Sequence, residues 1–172
     1  DLERALQERL GQGGDVIGEP AAVALGAMRR GVEAGEQEMA DALGDRVAAW
    51  ITHNEPWVAS MLGYLEGVFA PGVTGWENAL PAAHHILVSH GRAVQAIRDR
   101  LPEASIGIAL DCRPCSPASD APEDVAAARD FDGFRNRWFF DPVHGRGYPS
   151  DMVEAYRRLG RLPDEGMPFV AT

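Results

Sequence analysis

The 172 residues carry 26 acidic and 16 basic side chains, a formal charge of −10, and 45% apolar residues. The length fits one domain with its own core but falls short of the roughly 200–250 residues that a complete eight-fold barrel needs. The negative balance offers no surplus of cations for nucleic-acid phosphates, and no apolar run approaches the roughly 20 residues that cross a bilayer, so neither nucleic acid nor membrane is an expected partner.

Asp1 to Leu10 reads as a short helix with Leu2, Leu6 and Leu10 on one face. Its acidic, amphipathic character is unlike a signal peptide, so a cytoplasmic location is expected, and the missing initial methionine suggests a processed or excised segment. Gly11 to Gly18 is glycine-rich, with a short strand expected at 15–18, and Pro20 opens a helix running to Leu43 and stopped by Gly44-Asp45. Arg46 to Thr52 is an apolar run that predicts a buried strand. Pro56 to Tyr64 predicts a helix or turn at the mouth of a cleft. Thr74-x-x-Glu77 has the spacing of a capping box for a helix over Trp76–Arg100, whose stripe is Leu80, Leu87, Val94, Ile97 and Leu101. A second strand is predicted over Ser105–Leu110, ending at Asp111; helices follow from Asp120 to Phe139 and from Ser150 to Leu159, and the tail is irregular.

A strand, a crossover helix and a second strand make one right-handed βαβ unit. Two strands do not close a barrel. Their edges carry unpaired amides and carbonyls, which helices, a second copy of the chain or a complementing chain are expected to cover.

The chemistry is expected where the first strand ends, in Trp50-Ile51-Thr52-His53-Asn54-Glu55-Pro56-Trp57. Pro56 cannot continue a ladder, so Glu55 is delivered at a strand's carboxyl end, where parallel α/β folds keep their variable, functional loops. A carboxyl group flanked by Trp50 and Trp57 would sit in surroundings that disfavour its charged form, as suits a general acid.

Thr52-x-Asn54-Glu55-Pro56-Trp57 resembles the acid/base motif of glycoside hydrolase family 1, the β-glucosidase family. Further stretches in the same order strengthen the likeness: Gly63-Tyr64 with Ala70-Pro71-Gly72; Ala82-Ala83-His84-His85-Ile86-Leu87 with His90-Gly91; and Gly133-Phe134 with Arg137-Trp138-Phe139-Phe140-Asp141-Pro142 and Tyr148-Pro149. The resemblance implies an α/β fold, a partial (β/α)8 barrel segment forming one domain over 1–172 and holding the fourth and fifth βα units. It further implies retaining hydrolysis of terminal β-glucosides or small oligosaccharides with no cofactor or metal, with Glu55 as catalytic acid/base and Asn54 as donor to the sugar's 2-hydroxyl. The family's departure point is 11–38, where an aromatic-bearing segment is expected and no aromatic residue occurs. A retaining enzyme needs a second carboxyl group about 5–5.5 Å from the first. The family's nucleophile lies in Glu-Asn-Gly, a triplet this sequence lacks. The alternatives are a catalytically inactive relative that acts as a folding or association module, another hydrolase, and a dithiol redox protein.

The redox alternative comes from Cys112-Arg113-Pro114-Cys115, directly after the second strand. Pro117 argues against a helix beginning there, which leaves two small, half-buried thiols as the plainer reading. His84, His85 and His90 do not converge on one helix face. His84 and His90 are expected to be hydrogen-bonded between helices, and Trp138, Phe139 and Phe140 to be aromatic core.

Overall fold

The computed structural model describes residues 34–162. The predicted helix over 1–10, the glycine-rich passage with its strand, the start of the helix opened by Pro20 and the irregular tail lie outside the described residues. The first described element is a helix, α1, at 34–43, followed by a turn in which the amides of Arg46 and Val47 both donate to the Leu43 carbonyl. Those bonds close the helix end and delay the strand, so β1 is Ala49–Asn54 rather than a run starting at Arg46. Helix α2 is Trp76–Arg100 and strand β2 is Ser105–Ala109. The described fold is thus helix-rich α/β with a two-stranded parallel sheet, in keeping with part of a barrel.

The register of that sheet slips once. Ala49, Trp50 and Ile51 pair with Ser105, Ile106 and Gly107, and then Asn54 pairs with Ala109, so three steps along β1 match two along β2. The extra residue is a bulge, which breaks the alternation of side chains and re-aims the strand beyond it. Consequently two consecutive side chains face α2: Thr52 Oγ1 lies 2.8 Å from His90 Nδ1, and His53 Nε2 lies 3.1 Å from Ser89 Oγ. His90 is therefore bonded to a strand, not to another helix as expected; His84 Nδ1 meets the Tyr148 hydroxyl at 2.9 Å. Ile51 points elsewhere and is 69% exposed.

Helix α2 has the predicted bounds but not the predicted cap. Thr74 is occupied by a backbone bridge with Glu66, and the capping position falls on Gly75, whose φ of 108° only glycine adopts freely. Pro56 to Tyr64 is helical as anticipated, with a wide π-type turn over Val58–Leu62 in which the buried Ser60 hydroxyl donates to the Pro56 carbonyl. The predicted helix over 120–139 forms as one uninterrupted helical run from Pro122 to Val143, widened in the middle: α3 is Pro122–Asp132, a second π-type turn covers Gly133–Arg137, and α4 is Trp138–Val143. Gly133 lets α5, Ser150–Arg158, pack closely here, since a Cβ would collide with the Met152 sulfur.

The core lies between α2, the first π-type turn and the C-terminal helices. Met61, Leu80, Leu87, Trp138, Phe139, Met152 and Tyr156 fill it. Trp138 has its ring centroid 4.4 Å from that of Tyr148 and 4.9 Å from that of Tyr156. Phe140, expected in this core, is partly exposed and stacks on His144, because the short α4 turns it outward. No helix among the described residues is long and apolar enough to cross a membrane.

An ion-pair network fastens α5 beneath the second π-type turn. Arg137 reaches Asp151 at 2.8 and 2.9 Å and Asp132 at 2.8 Å, while Arg129 reaches Asp151 at 2.9 Å. The Arg137 hydrogen bonds hold the Asp151 carboxyl well below the usual carboxylate range. A depressed folded-state value means that the unfolded chain takes up the proton first as pH falls, so this contribution is present above about pH 4 and declines progressively as pH falls toward the lowered folded-state value. Thermal unfolding between pH 6 and 3 is the check: Asp151→Asn should have a lower midpoint than the parent at pH 6, with the gap narrowing toward pH 3.

Candidate active site at the strand ends

Asn54 is the last residue of β1 and is exposed; Glu55 follows it, partly buried. Glu55 has φ 49°, and among the described residues it is the one non-glycine in the left-handed region. There the Cβ crowds the backbone at a cost of about 1–2 kcal/mol, and such strain persists where the surroundings enforce it. Here two bonds enforce it: the Glu55 amide donates to the Ala109 carbonyl of β2 at 2.8 Å, and the Ala59 amide donates to the Glu55 carbonyl at 3.0 Å. Glycine suits this backbone better than any other residue, so Glu55→Gly should raise the thermal midpoint and Glu55→Ala should not. Calorimetry of the two variants against the parent tests whether the glutamate is held there at a cost in stability.

The chain then turns sharply at the buried Pro56 and presents Trp57. Phe134 meets the Trp57 ring edge-on at 5.5 Å, and the guanidinium of Arg135 lies over it, 3.6 Å from the ring centroid. Arg135 is 4% exposed and is ion-paired with Asp111, just past the end of β2. Arg113 stands 3.7 Å from the other oxygen of that carboxylate. Asp111 is thus a second carboxylate at the same end of the sheet as Glu55, but neutralised by two arginines and so poorly suited to act as a free nucleophile. Asp111 and Arg135 were not singled out by the sequence reading. Arg135 sits in Phe134-Arg135-Asn136-Arg137, within the π-type turn, and is buried there.

The other candidates lie apart. His84 and His90 border an open groove of about 950 Å³ between α2, β2 and α4, together with Ile106, Ile108 and Val143; neither Asn54 nor Glu55 lines it. Burial lowers the pKa of His53 and His90, favouring their neutral forms between strand and helix. No group of His, Cys, Asp or Glu among the described residues has the geometry of a metal site. Cys112 and Cys115 are free thiols, Cys112 exposed. Burial and then the neighbouring Asp111 push the Cys112 thiol upward, the reverse of what a dithiol nucleophile needs, and no helix starts until Pro122.

With this geometry in place, the chain can be set beside known proteins. The profile described as Glycosyl hydrolase family 1 matches residues 37–166. Beta-glucosidase A of Acetivibrio thermocellus is 42% identical over 132 residues, 75% of this chain and 30% of that protein. The 6-phospho-beta-glucosidase GmuD of Bacillus subtilis is 37% identical over 121 residues, 70% of this chain and 26% of its own length. Among solved structures, the Thermotoga maritima family 1 glycoside hydrolase complexed with a cyclophellitol analogue transition state mimic superposes with a TM-score of 0.73 at 34% identity, over 80% of this chain and 31% of that one. The chain therefore spans between a quarter and a third of the length of these relatives.

Proposed function

Because the chain belongs to glycosyl hydrolase family 1, we propose that its 172 residues supply the acid/base side of a retaining β-glucosidase site and are catalytically silent until the rest of a barrel associates with them. In this reading β1, α2 and β2 belong to the fourth and fifth βα units. Glu55 protonates the departing glycosidic oxygen and then takes a proton from the water that releases the sugar, while Asn54 donates to the 2-hydroxyl. The nucleophile lies outside these residues, in another part of the same polypeptide or on a partner.

The observation that carries this reading is coverage. The family match extends over 37–166, yet the matched stretch is only 30% of a related β-glucosidase, and its one strained carboxylate stands on the rim of a sheet with two strands. The two-stranded sheet supports an association role, since among the described residues both its edges are left without a neighbouring strand. The matched stretch is similar both to a beta-glucosidase and to a 6-phospho-beta-glucosidase, so the likeness by itself favours neither substrate.

The test is nitrophenol release from nitrophenyl β-glucoside. The isolated chain should release none above buffer, and release should appear when the complementary portion of a related family member is added. Turnover by the isolated chain that disappears with Glu55→Gln would overturn the silent-module reading.

A further inference from the structure

We propose that Arg135 is a positioning residue that clasps the two strand ends together and so fixes the direction in which Glu55 leaves the sheet; the proposal rests on the acid/base reading of Glu55. One guanidinium serves both ends. It is ion-paired with Asp111, two residues past the last residue of β2, and it covers the ring of Trp57, two residues past Glu55. Between these contacts runs the 2.8 Å hydrogen bond from the Glu55 amide to the Ala109 carbonyl. The clasp therefore spans the same gap as that bond, one step further out from the sheet.

Two features separate this from ordinary packing. Burying a cation to 4% exposure is costly, and Arg135 Nε has no partner among the described residues, so an apolar side chain of similar volume would serve a pure core role at lower cost. The pair of contacts also demands a planar cation that can lie on an indole while its edge meets a carboxylate, which lysine cannot do at once. The strained φ of Glu55 needs such enforcement, because the residue relaxes toward commoner backbone angles if either strand end is freed. Asn136, next in sequence, exchanges two hydrogen bonds with the backbone of Arg113 at 2.8 and 2.7 Å, so the loop after Asp111 is held from the same turn.

Amide hydrogen exchange, followed by NMR on the full 172-residue chain, tests this without relying on turnover. In Arg135→Met the Glu55 amide should exchange at least tenfold faster, while amides inside α2, such as those of Leu87 and Ile97, keep the parent rate. Arg135→Lys should behave like the methionine variant, since the charge alone does not restore both contacts. An unchanged Glu55 amide, or acceleration of all amides together, would overturn the clasp. If Arg135→Met does not fold, Asp111→Asn, which keeps the shape and removes the charge, carries the same comparison and should still speed Glu55 selectively. Because the readout is independent of catalysis, a failure of the clasp and a failure of the acid/base reading are told apart.

Discussion

Trp138→Ala is expected to cost about 3–5 kcal/mol, the range found when a large buried aromatic is truncated and its surroundings only partly collapse. Trp138 is 1% exposed and stands at the meeting point of α4, the Tyr148 loop and α5, with two aromatic neighbours whose centroids lie within 5 Å of its own. The sheet contributes little that would compensate, because none of its strand residues is fully buried. A stability of about 5–15 kcal/mol is usual for a domain, so a loss of this size removes at least about one fifth of it. Urea denaturation followed by tryptophan fluorescence and circular dichroism checks it: the midpoint should fall by at least about one fifth, and a shift as small as that of a surface substitution would place the core elsewhere.

Glu55→Gln should lower kcat for nitrophenyl β-glucoside by about 10²–10⁴-fold once the chain is completed by the rest of a barrel, the range general acid–base groups contribute. The substitution is nearly isosteric and keeps the backbone strain, so the thermal midpoint of the isolated chain should be unchanged. Because Glu55 also serves as base in the second step and nitrophenolate leaves with little help, kcat should fall more than kcat/KM, and KM should fall with it. A variant that loses binding instead would mark Glu55 as a contact to the ground-state sugar. This effect and that of Arg135→Met differ in kind, since removing the clasp moves the carboxylate without removing it, and should therefore cost less.

Much of this arrangement is legible in the sequence because it follows from periodicity and punctuation. The stripe of Leu80, Leu87 and Ile97 locates α2, and the apolar runs before Asn54 and Asp111 locate both strands. The motif around Asn54-Glu55-Pro56 gives the family, which the matches to known relatives bear out. What the sequence does not disclose depends on partners distant along the chain. The bulge at Thr52-His53 is a property of the register between β1 and β2, which neither strand carries alone. Thr74-x-x-Glu77 looks like a cap, but Thr74 is drawn into a bridge with Glu66, and that competition cannot be read from spacing. The turn at Gly133–Arg137, within which Arg135 is buried, has no mark in the local sequence either.

In the proposed role, the Glu55 carboxyl hands a proton to the leaving oxygen. Leaving-group dependence tests this most directly, because a good leaving group needs no proton and a poor one does. In the completed barrel, dinitrophenyl β-glucoside should be cleaved by Glu55→Gln at close to the parent's rate for the first chemical step, while methyl β-glucoside should lose at least a hundredfold. An equal loss for both substrates would contradict the account and leave Glu55 as a structural residue of the rim.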